Sequence, residues 1–486
     1  MSPKLLLVPI LLPLVCGLSL LLPGSRDRAH GHRALVAAAL CLHTLITVLL
    51  ALQPDFGFTL FCITDKLPIM LRLDNMSRLF SVLSSIMFLA AGMYSFEYMK
   101  HEENERRFYM FYIMVPGMLS GLAYSGNMMT LYLFFEALTL LSMPLVLHTL
   151  TKEAIAAALK YLFYSIGGTS LALVGFFFVY SYGSTLEFTP GGVLDTSKLA
   201  GNETAMLIAA LVTIIGFGAK AGMFPLHAWL PTAHPVAPAP ASAVLSGVIT
   251  KVGVFATARF VYQLVGAEFI RGSFVQYSWL SLALFTVLMG STLAYKEPLL
   301  KTRLAYSSIS QVAYIQFSLA TLTSAGIIGG MLHMVVHSVI KDALFMAVGA
   351  VIHKTGKTRV DDLHGLGKQM PVTMCCFTLL GIALVGIPPA GGFVSKWHIS
   401  AGSLAADTAF FTWLGPAVLL ISALLTAGYL FPISISSFLP GESKAKAGKK
   451  SEPGSLMLAP IVLLTALIFL LGVFPGGLIN LLRNIQ

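Results

Sequence analysis

Charge is scarce in this chain of 486 residues. Asp, Glu, Lys and Arg make up 11% of it, against 56% hydrophobic residues, whereas soluble domains run at about 25% charged. That balance excludes a string of soluble domains and places the bulk of the chain in one membrane domain. Cysteine is scarce too. Cys16, Cys41, Cys62, Cys375 and Cys376 form no C-x-x-C pair and no ferredoxin-like run. Cys375 and Cys376 adjoin in an apolar run and read as small core residues. No dinucleotide fingerprint follows a strand, and there is no P-loop. No cofactor is therefore expected in this chain, and redox energy or ATP has to come from a partner. The net charge of +10 does not point to nucleic acid, because the basic residues fall in short loops and not in one patch with interleaved aromatics.

What the chain has in abundance is apolar runs of spanning length, about 20 residues. Fourteen are bounded by charge, Gly or Pro: roughly 4–22, 33–52, 76–97, 108–125, 128–149, 156–182, 204–230, 238–264, 273–295, 299–321, 325–353, 372–403, 409–436 and 455–482. The first contains Pro9 and Pro13 and lacks a small-x-small cleavage site, so it reads as a first span and not as a signal peptide. Basic residues collect in the odd-numbered loops: Arg26, Arg28 and Arg33; Lys100, Arg106 and Arg107; Lys296, Lys301 and Arg303; Lys354, Lys357, Arg359 and Lys368; Lys444, Lys446, Lys449 and Lys450. The even loops carry mainly Lys66, Arg72, Lys198 and Arg271. The positive-inside rule then puts the odd loops in the cytoplasm and both termini outside.

Two segments are predicted to break. One runs Gly216–Pro231 and contains Lys220 and Pro225; the other runs Gly386–Trp397 and contains Pro388, Pro389 and Lys396. Proline removes backbone donors, and irregular backbone at membrane depth survives where protein or water satisfies it. Paired broken helices point to inverted-repeat transporters with a site near the midplane. A short repeat supports this: Lys160–Gly167 resembles Lys341–Gly349, each one helix ahead of a break. The expected fold is an all-α polytopic membrane protein of about fourteen transmembrane helices with two inverted five-helix repeats, each containing a broken helix.

Ionisable groups inside such runs cost roughly 2.5–3.5 kcal/mol each at the bilayer centre. Lys220, Lys251 and Lys396 are three of them, and Glu136 is a fourth. Glu136 is either a structural carboxylate between helices or the partner of Lys220, stabilising its ammonium form and releasing the proton on withdrawal. Lys220 is either a snorkelling anchor or a proton carrier solvated by carbonyls freed at the break. Lys251 has apolar residues on both sides and no loop in reach. His333, His337 and Lys341 at i, i+4 and i+8 share one helical stripe; a metal site, a hydrogen-bonded histidine pair and a proton relay all fit, the relay best, since histidine titrates near neutrality. Lys396, followed by Trp397 and His398, is an interfacial anchor or the exit of the path. No metal is expected.

The segments around these residues resemble the antiporter-like subunits shared by respiratory complex I, membrane-bound hydrogenases and multisubunit cation/proton antiporters. The resemblance is carried by the Glu136 segment, Phe217–Pro231, His234–Gly247, Leu304–Gln311, His337–Phe345 and Gly386–Phe393. It implies a proton pathway through Glu136, Lys220, Lys251, His333, His337, Lys341 and Lys396, with helix breaks at Pro225, Pro388 and Pro389, and no catalytic residue. Lysine at both 251 and 396, and the stretch Asp361–Pro371, look most like the D-type antiporter subunit. The implied division is 1–107 for three N-terminal helices, 108–264 and 273–436 for the two repeats, and 437–486 for a basic loop and the last helix.

The expectation is a proton-translocating subunit in the cytoplasmic membrane of a prokaryote, driven by a peripheral redox module. Its partners would be other membrane subunits, including further antiporter-like ones. The alternatives are a subunit of a Na+/H+ antiporter without redox chemistry, direct sodium conduction (disfavoured because lysines repel it), and a structural membrane scaffold. A carrier for an organic solute fits less well, because the charges are spread along the chain.

Overall fold

In the computed structural model, which describes residues 3–22, 29–64, 67–439 and 450–483, the described chain is mostly long helices. Single-turn helices aside, they are α1 (Val8–Ser19), α2 (Ala29–Ala51), α3 (Asn75–Tyr98), α4 (Glu105–Ala123), α5 (Met128–Val146), α6 (Lys152–Tyr182), α7 (Glu203–Ala221) and α8 (Leu230–Val236). There follow α9 (Ala239–Val265), α10 (Phe274–Lys296), α11 (Leu300–Ala320), α12 (Ser324–Thr355), α13 (Pro371–Val385), α14 (Gly391–Leu404), α15 (Phe410–Phe438), α16 (Ser455–Val473) and α17 (Gly476–Arg483). Ten spans among the described residues are long and apolar enough to cross a membrane. The protein is a polytopic membrane protein.

Burial sorts the helices. The apolar window of α9 is 100% buried and that of α12 is 94% buried, against 33% for α2 and α16. The centre is therefore α9 and α12, which pack on one another, with α11 beside α12. A helix enclosed by protein need not be apolar. α11 is outside the ten apolar spans and carries Ser307, Ser308, Ser310, Gln311 and Gln316, yet nearly all of it is buried. Some helix starts are set by side-chain caps. The Asp74 carboxylate accepts from Ser77 N in a capping box at α3, Asn127 caps α5 and Thr323 caps α12.

The loops sort onto two faces. On one, Leu300 N bonds Thr358 O at 3.0 Å, Gly365 N bonds Ser436 O at 3.0 Å, Lys301 reaches Ala237 O and the His101 and His353 rings lie 5.1 Å apart. On the other, Arg72 N bonds Tyr124 O, Met128 N bonds Leu186 O, Thr189 N bonds Gln263 O and Arg271 reaches Leu322 O. Each set of contacts thus links loops of one parity, odd in the first and even in the second. Arg26, Arg28, Lys66, Lys444, Lys446 and Lys449 lie outside the described residues.

Two expectations are corrected. The fold is not purely helical: β1 (Phe56–Thr64) pairs antiparallel with β2 (Leu67–Leu73). β2 buries Ile69, Leu71 and Leu73 while Met70 O accepts from Gly126 N, so the α4–α5 turn supplies a surface that makes this loop a hairpin. The last span is also shorter than 455–482. α16 stops at Val473, Pro475 follows, and α17 is a separate short helix.

Candidate functional site

α7 ends where Gly222 takes a left-handed conformation with φ +78°. The chain then runs irregularly to α8 through Pro225. Carbonyls left over at such an end need partners. The Trp229 indole N–H supplies one, donating to Ala219 O at 2.8 Å. Lys220, in the last turn of α7, is buried. Its Nζ bonds Thr139 Oγ1 at 2.9 Å, the Tyr161 hydroxyl at 2.5 Å and Ser165 Oγ at 3.3 Å. It also lies 4.3 Å from the Tyr161 ring centroid.

The expected Glu136–Lys220 pair is not a direct one. Among the described residues the two form no salt bridge, although Glu136 is within electrostatic reach. On α5 the group that touches the amine is Thr139, three residues on. Glu136 itself is half-buried. The two lysines of the repeat match are placed differently. Lys160, which the alignment places opposite Lys341, is half-buried, and its neighbour Tyr161 points at the axis.

α9 crosses α7 beside this site. A Cβ on Gly253 would lie 2.7 Å from Ala221 N, so the crossing needs glycine. Two residues earlier, Lys251 is fully buried. It follows a π-helical turn over Leu245–Ile249, and its Nζ turns back onto Ser246 O. π turns recur at functional sites. Lys251 is within electrostatic reach of Lys341 and His337 on α12.

The α12 stripe forms as its spacing predicts. The His333 and His337 rings stack with centroids 5.7 Å apart. Lys341 continues the line and bonds Ser307 Oγ at 2.7 Å and Leu304 O at 3.1 Å on α11. Ser307 in turn meets the Tyr429 hydroxyl at 2.7 Å. His333 Nδ1 lies 2.9 Å from Ser395 Oγ on α14. The second break, through Pro388 and Pro389, leaves Leu384 O and Val385 O at the end of α13, and Lys396 Nζ donates to both, at 2.7 and 3.0 Å. Lys396 Nζ also lies 5.0 Å from the Tyr314 ring, whose centroid is 5.6 Å from that of His333. Lys396, Tyr314, His333 and His337 thus form a stacked run. Lys396 itself is half-buried.

Several residues of the site were not singled out from sequence. Thr139, Tyr161, Ser165 and Ser307 are ordinary helix residues until the fold turns them on a lysine. His234 stacks on Phe345 at 4.6 Å within electrostatic reach of Lys251, Lys301 and Lys341. Asp342 is fully buried beside Lys341; its neighbour in sequence was the available signal. Among the described residues no three His, Cys, Asp or Glu side chains gather to hold a metal ion.

A row of amines inside the helix bundle, three buried and one half-buried and two of them at helix breaks, defines a class: membrane proteins that handle charge inside the bilayer. Residues 125–426 match the family model described as NADH:quinone oxidoreductase/Mrp antiporter, TM, and residues 64–109 match that for the NADH-ubiquinone oxidoreductase (complex I) chain 5 N-terminus. The N-type membrane subunit of the NADH-quinone oxidoreductase of Desulforudis audaxviator is 33% identical over 82% of this chain and 81% of its own length. The D-type membrane subunit of the Na(+)/H(+) antiporter of Bacillus subtilis is 32% identical over 83% and 80%. A component of the membrane-bound sulfane sulfur reductase, an archaeal respiratory membrane complex, superposes with a TM-score of 0.87 at 25% identity, covering 99% of this chain and 97% of the other. The chain belongs to the family of antiporter-like membrane subunits found in NADH:quinone oxidoreductases and Mrp antiporters.

Proposed function

We propose that this chain carries protons across the membrane along Glu136, Lys220, Lys251, His333, His337, Lys341 and Lys396, as one subunit of a larger complex. The observation that carries this reading is how two of the four amines, Lys220 and Lys341, are solvated. Lys220 is met by three hydroxyls and Lys341 by a hydroxyl and a carbonyl. A hydroxyl both donates and accepts, so it satisfies an ammonium and a neutral amine alike. A scaffold lysine would be better served by a carboxylate.

The finer architecture belongs to the same proposal. Fourteen spans with inverted repeats over 108–264 and 273–436, flanked by 1–107 and 437–486, fit the two segregated loop faces. They also fit the two breaks, each with a lysine within a turn or two. Both termini then lie outside, in the cytoplasmic membrane of a prokaryote. The redox module and its cofactors belong to partner subunits, and this chain needs no cofactor of its own. Moving one charge against 100 mV costs about 2.3 kcal/mol, which the partner supplies.

Lys220→Ala in the whole complex, reconstituted in liposomes, is expected to abolish proton translocation and leave assembly intact. Undiminished translocation overturns the axis. The likeness to a component of a Na(+)/H(+) antiporter favours a second reading, in which an opposing cation gradient replaces redox energy. Antiport by the complex without any electron donor would select it. Neutral replacements tolerated throughout the axis would select a scaffold.

A further inference from the structure

Two acidic side chains are buried among the described residues, Asp74 and Asp342. Asp74 is tied to Arg259 by two hydrogen bonds, at 2.5 and 2.8 Å. Asp342 has no such tie. It is fully buried in mid-α12, and neither carboxylate oxygen has a hydrogen-bond partner in the protein. An unpaired buried carboxylate is costly, and the axis proposed above makes no use of it.

Its surroundings are built to receive it. Lys341 points to α11, whereas the adjacent Asp342 points to the π turn of α9. There Gly247 leaves room: a Cβ at that position would collide with Asp342 Oδ1. Lys251 stands four residues after Gly247, on the same face, and its amine turns back onto the carbonyl of Ser246, the residue before Gly247. Amine and carboxyl therefore converge on one turn of α9. They lie beyond salt-bridge contact but within electrostatic reach. Tyr112 of α4 also faces Asp342, but its hydroxyl is committed to Phe88 O at 2.8 Å.

We propose that Asp342 is a further proton-carrying residue of this transporter, exchanging a proton with Lys251 across the π turn of α9. The inference rests on the proton-axis reading above. In the step an N–H bond of the Lys251 ammonium breaks and an O–H bond forms on the Asp342 carboxylate, leaving a neutral amine and a neutral acid. No electrons change hands and net charge is conserved, so the low-dielectric centre sees no uncompensated ion. The proton crosses by rotation of the lysine side chain or through one bridging water. Lys251, Lys341, His333 and His337 are all bases. An acid among them gives an arriving proton a counter-charge and then a resting place.

The test uses the whole complex in liposomes and its infrared difference spectrum. Asp342→Asn is expected to slow translocation by at least about tenfold, below the usual range for a lost acid–base group, with assembly intact. Asp342→Glu restores most of the rate. The carboxylic-acid C=O band of the resting protein is lost in Asp342→Asn and shifts in Lys251→Gln. Should Asp342→Asn fail to assemble, the band in Asp342→Glu and its displacement in Lys251→Gln decide the matter. Wild-type rates in Asp342→Asn, or a band that ignores Lys251, overturn the proposal. If Lys220→Ala blocks translocation while Asp342→Asn does not, the Asp342 step alone falls. If neither blocks it, the axis falls with it.

Discussion

A buried amine that alternates between two protonation states needs neighbours that serve both. Around Lys220 these are the hydroxyls of Thr139, Tyr161 and Ser165. Tyr161→Phe keeps the ring against the amine and deletes one hydroxyl. A hydrogen bond to a charged group contributes about 1.5–3 kcal/mol, so the translocation rate is expected to fall by about tenfold or more. Initial rates in proteoliposomes check this; an unchanged rate would mean that the hydroxyl is incidental. Lys220→Arg keeps the charge but holds its proton permanently, so it should assemble normally and block translocation as completely as Lys220→Ala. The lysines themselves were legible in the sequence because a charge in an apolar run is conspicuous. Their partners were not, because Thr, Ser and Tyr are unremarkable in a helix until packing aims them.

At the scale of elements, glycines set how closely helices approach. A Cβ on Gly168 of α6 would lie 2.5 Å from Gly216 O on α7, and one on Gly216 would lie 2.8 Å from Ala172 N. Gly168→Ala should push α6 from α7 and lower the thermal midpoint, at a cost of about 1–3 kcal/mol for overpacking. Differential scanning of the purified complex reads it, and an unshifted midpoint would show that the crossing has slack. Because Tyr161 and Ser165 ride on α6, the same change should also slow translocation. Both breaks were readable beforehand, since at each a proline, which lacks a backbone donor, follows closely on a glycine, Gly222 before Pro225 and Gly386 before Pro388 and Pro389. The β1–β2 hairpin was not. Its inward face is made by Tyr124 and Gly126, which are some 50 residues away in sequence and therefore invisible to any local pattern.

The whole molecule is tied together by contacts between distant segments. Asp74 both caps α3 and holds Arg259 of α9, whose guanidinium also bonds Gln263 at 2.6 Å and lies 5.1 Å from the Phe188 ring. Asp74→Ala leaves that buried cation unpaired, which costs about 3–5 kcal/mol. The expected result is a marked fall in thermal stability, although Asp74 is no part of the proton axis. A stability equal to that of the native protein would mean that Arg259 finds solvent. Topology is tested separately. Single cysteines at Thr358 and Thr185, on opposite loop faces, should be labelled by a membrane-impermeant maleimide from opposite sides of the bilayer, with Thr358 on the cytoplasmic side.

Sequence by itself determined that the chain is a membrane bundle, that it breaks around Pro225 and around Pro388 and Pro389, and that Lys220, Lys251, His333, His337 and Lys341 sit inside it. Each of these follows from local chemistry: apolar length, missing backbone donors, and the cost of a charge in hydrocarbon. Tertiary structure alone decided that Lys220 meets Tyr161 and not Glu136, that a polar α11 sits at the centre shielded from lipid, and that Asp342 and Lys251 share one turn. Those outcomes depend on the rotation of each helix about its axis and on which faces meet. That is a property of how the whole set of helices packs, and it has no signature within a single segment.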